Sequence, residues 1–103
     1  HLVDSSLLSK MKKTSFLINT SRGKIVNEND LIMYLQQNKI QGAGLDVFEK
    51  EPINKKNKLT KLENTVLAPH IGSSTDETRY EMTEIAIKNL ILGLNDKKLV
   101  YSV

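Results

Sequence analysis

The sequence contains no cysteine. Disulfides, thiolate metal ligands and cysteine nucleophiles are thereby excluded, and a reducing, cytoplasmic setting is the expectation. No apolar run approaches the roughly 20 residues of a membrane-spanning helix, so no membrane role is expected. The opening residues, His1-Leu2-Val3-Asp4, carry neither the pattern of a signal peptide nor an initiator methionine and read as the start of a fragment. Internal repeats and low-complexity tracts are absent. Aromatic residues make up only 5% of the chain, which bears on its excess positive charge. Lys50, Lys55, Lys56, Lys58 and Lys61 crowd one segment, yet no aromatic side chains are interleaved there to stack on bases. A solvated loop is therefore a better reading than a nucleic-acid surface, and no nucleic-acid partner is expected.

What is present is a 103-residue chain, 39% hydrophobic and 26% charged, with a formal charge of +3. That suits one soluble domain with a modest core. Asp4 can cap a short helix from Ser5 to about Met11. Phe16, Leu17 and Ile18 form the middle of a buried strand from Ser15 to Asn19. Asn27 with Asp30 resembles a capping box and opens a helix to about Asn38, with Leu31, Ile32, Leu35 and Ile40 on its apolar side. Gly42 to Val47 reads as a second buried strand whose small residues admit close packing against a helix. Residues 48–64 form a polar loop, and Thr65 to Ala68 a third short strand stopped by Pro69.

Ser74-Thr75-Asp76-Glu77 has the form of a capping box and starts a helix to about Leu94, ended by Asn95 and Asp96. Met82, Ile85, Ala86, Asn89, Leu90 and Gly93 follow the helical period, and Ile87, Ile91 and Leu94 widen the stripe, which implies burial on more than one side. Apolar strands alternating with helices predict an α/β fold with a parallel sheet.

In open α/β sheets ligands bind beyond the carboxyl ends of the strands. Arg22 follows the first strand, Asp46 and Glu51 follow the second, and His70 follows the third. Each has an ordinary alternative. Arg22 can pair with a surface carboxylate, Asp46 can cap a turn, Glu51 can be a solvated loop residue and His70 a hydrogen-bonded structural one. Four such residues on one sheet edge are harder to dismiss together. Arg22 offers a planar fork matched to a carboxylate. His70 can exchange a proton near neutral pH, and Glu51 can fix its tautomer and favour its charged form. Asp46 can accept hydrogen bonds from an amide-bearing ligand. The set suits proton transfer on a small carboxylate-bearing substrate. Gly42-Ala43-Gly44 is not a dinucleotide fingerprint, because Val47 stands at the third glycine position and the run leads into a strand.

Three ordered stretches, "LINTSRGKIVNENDL", "GAGLDVFEKEP" and "NTVLAPHIGSST", resemble consecutive signatures of the D-isomer-specific 2-hydroxyacid dehydrogenases, and the likeness covers nearly the whole chain. It implies the second half of a Rossmann-like NAD(P)-binding domain in residues 1–74. Residues 75–103 would be a helix and tail leading towards a mostly absent substrate domain. It implies that Arg22 binds substrate, that Glu51 pairs with the histidine, and that His70 is the acid/base. Thr20, Ser21, Arg22, Asp46, His70 and Gly72 would face an NAD or NADP cofactor, and Ser73 the substrate alongside Arg22 and His70. The implied reaction is reversible reduction of a 2-oxo acid to the 2-hydroxy acid, in a protein that is a homodimer when full length. Within the family, "GLDVFEKEP" with "PHIGSST" is most similar to glyoxylate and hydroxypyruvate reductases. Phosphoglycerate dehydrogenases come next, and Glu51 argues against the formate dehydrogenase branch. A non-catalytic NAD-binding regulator of the same fold is a further alternative. The upstream glycine fingerprint and nearly all of the substrate domain are absent from this sequence. Much of the last helix's apolar stripe should therefore lack its normal cover, and the chain alone is expected to be inactive and prone to aggregate.

Overall fold

A computed structural model of the chain describes residues 1–101. The chain divides into two compact units, His1–Ile71 and the stretch from Gly72 onward.

The first unit is built on three parallel strands, β1 (Phe16–Asn19), β2 (Gly42–Leu45) and β3 (Thr65–Leu67), in the spatial order β1-β2-β3. Helix α1 (Ser5–Leu8) precedes β1, and α2 (Glu28–Gln36) joins β1 to β2. The expected α/β order is found, and side chains alternate across the sheet as the strand period requires. Leu17, Ala43 and Thr65 lie in one register row, and Asn19, Leu45 and Leu67 in the next row on that face. Against this face pack Leu31 and Leu35 of α2, Leu8 of α1 and Ile40, all at most 1% exposed.

The other face differs from the expectation of a buried sheet. Phe16, Ile18 and Val66 are 64%, 66% and 75% exposed. A parallel sheet is normally covered on both faces, and no residue of the first unit covers this one. Gly42 and Gly44 lie on that open face, where their smallness makes room for neighbouring atoms. A Cβ on Gly42 would meet the Phe16 ring at 3.1 Å, and one on Gly44 would meet Ile18 Cδ1 at 3.0 Å. The two large side chains of β1 lean over the glycines of β2.

Helix ends follow local hydrogen bonding. Asp4 caps α1 as expected, accepting from Leu7 N at 3.1 Å. The helix stops at Leu8 rather than Met11, because Lys10 and Met11 close tighter three-residue turns onto Leu7 and Leu8. Asn27 Oδ1 accepts from Asp30 N at 3.2 Å, but the capping box is not reciprocal. Asp30 Oδ2 instead accepts from Ser5 N at 2.7 Å, while the Asn27 N–H donates to Val3 O at 2.8 Å. These bonds tie the N-terminal segment to α2. The helix ends at Gln36, just before Asn38 turns left-handed with φ 49°.

Residues 48–64 are not all loop. Asn57 caps a 3-10 helix, Lys58–Lys61, by accepting from Leu59 N at 3.0 Å. That turn drives Leu59 to 0% exposure in the core.

In the second unit, α3 (Asp76–Leu94) is capped by Thr75, not Ser74; Thr75 Oγ1 accepts from Thr78 N at 3.2 Å. No residue of α3 is buried, in keeping with a wide apolar stripe that lacks its normal cover in this chain. The tail folds back on it. Asn89 accepts from Val100 N at 2.9 Å and donates to Tyr101 O at 3.0 Å, and Leu99 lies over Gly93. No helix among the described residues is long and apolar enough to cross a membrane.

Leu59 carries a direct test of this core. Leu59→Ala is expected to cost about 2–5 kcal/mol in urea unfolding, and Lys58→Ala beside it less than about 0.5 kcal/mol.

Candidate active site

The site starts from a buried amide. Asn19 closes β1 at 7% exposure. Its Oδ1 accepts from Ser21 N at 3.2 Å, its Nδ2 donates to Arg22 O at 3.1 Å, and its backbone carbonyl accepts from Asp46 N at 3.0 Å. One residue thus does both jobs: its side chain folds the turn Thr20-Ser21-Arg22, and its backbone carbonyl moors that turn to the end of β2. Thr20, Ser21 and Arg22 are exposed on this turn. The Arg22 guanidinium reaches back, Nη1 donating to Ser21 O at 2.7 Å.

Gly23 then lies hard against the backbone of the loop after β2. A Cβ there would sit 1.9 Å from both the carbonyl carbon and oxygen of Phe48, and 2.5 Å from Glu49 N. Only a residue without a Cβ permits this. The arginine turn after β1 and the loop after β2 therefore press together, backbone against backbone.

The second loop carries Glu51. Its Oε1 accepts from Phe48 N at 3.0 Å, and its Oε2 lies 2.7 Å from His70 Nδ1. With Nδ1 engaged by the carboxylate, Nε2 is the ring nitrogen left for proton exchange with a ligand. His70 follows β3 and Pro69, with a left-handed backbone at φ 58°. Such a conformation costs a residue with a Cβ about 1–2 kcal/mol. The next residue secures it: Ile71 N donates to Asp46 Oδ1 at 2.8 Å, and Asp46 is itself 7% exposed. Asp46 anchors the backbone beside the histidine.

The hydrogen bond to His70 holds the Glu51 carboxyl below its ordinary value of 4.5. The Phe48 N–H and the charges of His70 and Arg22 act in the same direction, and desolvation opposes them.

Two hollows flank the pair. One, of about 250 Å3, is walled by Phe48, Pro52, Ile53 and Pro69, with Glu51 and His70 at its side. The other, of about 480 Å3, is lined by Arg22, Gly23, Glu49, Glu51 and His70 among others. Arg22, Glu51 and His70, read from three separate motifs, therefore border one hollow. A larger one, about 600 Å3, runs along the open sheet face beside Phe16, Ile18 and Val66. Its only titratable wall residue is Glu63, so it lacks the acid/base chemistry of the strand ends. Gly72 and Ser73 begin the second unit. Asn19 and Gly23 were not among the residues singled out from the sequence. An amide closing an apolar strand and a glycine following an arginine were the available signals.

Residues 1–72 match the family model described as D-isomer specific 2-hydroxyacid dehydrogenase, NAD binding domain. The chain belongs to this family. It is 50% identical over 95 residues to glyoxylate/hydroxypyruvate reductase B of Cronobacter sakazakii, covering 92% of this chain and 29% of that protein. It is 54% identical over 95 residues to a probable 2-ketogluconate reductase of Dictyostelium discoideum, covering 92% of this chain and 28% of that protein. Among solved structures it resembles the NADPH-dependent glyoxylate/hydroxypyruvate reductase of Sinorhizobium meliloti in complex with NADP and malonate. The TM-score is 0.89 at 36% identity, over 98% of this chain and 31% of that one. The chain thus spans less than a third of the length of these relatives. NAD or NADP is the cofactor that such a domain serves. The residues present fit one: an exposed polar turn at the end of β1 and an apolar hollow beside His70 lie at the carboxyl edge of a parallel sheet.

Gly23→Ala is expected to lower stability by about 2–3 kcal/mol in thermal unfolding, because the atoms it meets are backbone and cannot swing aside. Glu51 gives a pH test. Its folded carboxyl titrates below 4.5, so its contribution to stability is full above that value and is lost as pH falls through the lowered one. The difference in melting temperature between the parent and Glu51→Gln should therefore shrink in that acid range.

Proposed function

We propose that this chain supplies the catalytic edge of an oxidoreductase that interconverts a small 2-oxo acid and its 2-hydroxy acid with NAD or NADP. Glyoxylate or hydroxypyruvate is the favoured substrate, in keeping with the names of several relatives. The observation that carries the reading is the shared hollow bordered by Arg22, Glu51 and His70. An arginine fork, a histidine and the carboxylate that orients it are what proton exchange on a carboxylate-bearing carbonyl compound requires.

In this mechanism Arg22 grips the substrate carboxylate through paired N–H donors and draws electron density from the neighbouring carbonyl. A bound nicotinamide dinucleotide supplies the hydride in one direction and accepts it in the other. Glu51 holds the His70 ring by Nδ1, presents Nε2 to the substrate oxygen and stabilises the imidazolium. Protonated His70 then gives its proton to the developing alkoxide; in the oxidative direction, neutral His70 takes the hydroxyl proton. Thr20, Ser21, Arg22, Asp46, His70 and Gly72 would hold the cofactor, and Ser73 would join Arg22 and His70 at the substrate.

Residues 1–74 are in this view the second half of the nucleotide-binding domain, and residues 75–103 lead towards a substrate domain. The working protein is a full-length polypeptide, a cytoplasmic homodimer, and the 103 residues alone do not turn over substrate. The exposed Phe16, Ile18 and Val66 favour aggregation of the isolated chain.

In the full-length polypeptide His70→Ala is expected to lower kcat by about 10²–10⁴-fold with a much smaller change in KM. Arg22→Lys should lower kcat/KM for glyoxylate by about 10–100-fold, the worth of one charged hydrogen bond. Parent-like kinetics in either variant would remove that residue from the mechanism. Turnover by the 103-residue chain alone would contradict the view that it is one part of the enzyme.

A further inference from the structure

Two glutamates outside the dyad are bound to each other's backbone. Glu28, the first residue of α2, donates its N–H to Glu49 Oε1 at 2.9 Å. Glu49 returns the bond, its N–H donating to Glu28 Oε1 at 2.6 Å. Asn57 Nδ2 donates to the other Glu28 oxygen at 3.0 Å, and His1 Nε2 lies 3.0 Å from Glu49 Oε1. The Glu49 carboxylate thereby caps one of the unpaired N–H groups at the start of α2, where negative charge is also favoured by the helix dipole. Such a cap would by itself be a matter of stability. The return bond is what concerns the site.

Consecutive backbone N–H groups are involved. That of Phe48 holds Glu51 Oε1 at 3.0 Å, and that of Glu49 is held by Glu28. The contact of Gly23 with the Phe48 carbonyl fixes how near the two backbones lie. Van der Waals contact has no directional preference, whereas a hydrogen bond does. The Glu28 carboxylate is thus the group that sets the orientation of the Glu49 N–H, and with it the strand of backbone that presents Phe48 N to Glu51. Glu28 does not border the hollow lined by Arg22, Glu51 and His70, so its effect on chemistry is indirect.

We propose that Glu28 is a positioning residue for Glu51, acting through the Phe48–Glu49 backbone to keep the carboxylate on His70 Nδ1. The proposal rests on the reading of His70 as acid/base. Because the Thr20–Arg22 turn is held separately by Asn19, loss of the Glu28 bond disturbs proton transfer more than substrate binding.

The test uses the full-length polypeptide with glyoxylate and NADPH or NADH. Glu28→Ala should lower kcat by about tenfold or more while KM for glyoxylate changes by less than about threefold. Glu28→Gln keeps an oxygen acceptor for Glu49 N and should bring kcat back to within about threefold of the parent. Parent-like kcat in Glu28→Ala, or equal losses in the alanine and glutamine variants, would overturn the proposal. So would a fall in kcat matched by an equal rise in KM, which a general loosening of the fold would give. If Glu28→Ala does not fold, Glu28→Asp takes its place. Its shorter side chain should be more damaging than Glu28→Gln although it retains the charge, and the reverse order would overturn the proposal. His70→Ala separates the two levels. If His70→Ala is impaired and Glu28→Ala is not, only the role of Glu28 fails. If His70→Ala is itself unimpaired, the acid/base reading fails.

Discussion

The contact between Gly23 and the Phe48–Glu49 backbone is the constraint on which the rest of the candidate site depends. The two segments leave different strands, and nothing in their own sequences compels them to meet. They can meet because residue 23 has no side chain, which lets two backbones approach more closely than any Cβ allows. Arg22 immediately precedes the contact on one chain segment, and Glu51 follows three residues after Phe48 on the other. Asn19 then orients the arginine turn from within, and the Phe48 N–H orients Glu51. His70 is placed from the third strand, its left-handed backbone secured by the bond between Ile71 N and Asp46.

The Glu51–His70 pair lies in the open, with side chains 36% and 47% exposed. Such ion pairs add little to the stability of a fold. The significance of the 2.7 Å bond is therefore directional. It commits Nδ1 and so leaves Nε2 for a ligand, and it keeps Glu51 ionised at lower pH than an unpaired carboxyl. Asn19, which orients the arginine turn, and Asp46, which anchors the backbone beside His70, are by contrast buried. Buried polar groups that are hydrogen-bonded define geometry, and here they position the exposed side chains of the candidate site.

Much of this was legible in the sequence. The helical period of Leu31, Ile32 and Leu35 and the apolar runs at β1 and β3 revealed the alternation of helix and strand. The rule that ligands bind at strand ends then selected Arg22, Asp46, Glu51 and His70 from the polar residues. What escaped depended on contacts distant in the chain. Leu59 is a single leucine among lysines, with no period to mark it, and its burial follows from a cap at Asn57. Phe16 and Ile18 have the composition of a doubly covered strand, but whether a face is covered is decided by other segments. The small residues of β2 marked a place of close packing, but not that the large side chains of β1 lean over Gly42 and Gly44. Asp30 had the spacing of a capping partner, yet Ser5 N competed for it successfully. Gly23 is marked only by following an arginine, and that does not name the contact made 25 residues further on.

The central claim is that Arg22, Glu51 and His70 form one unit acting on a 2-oxo acid. A crystal structure of the full-length polypeptide with a nicotinamide dinucleotide and oxamate, an unreactive 2-oxo acid analogue, tests it most directly. The account predicts two hydrogen bonds from the Arg22 guanidinium to oxamate, with His70 Nε2 within about 2.6–3.2 Å of its carbonyl oxygen and Nδ1 still on Glu51. Oxamate held by another cation, or a His70 ring released from Glu51 and turned away from the ligand, would contradict it.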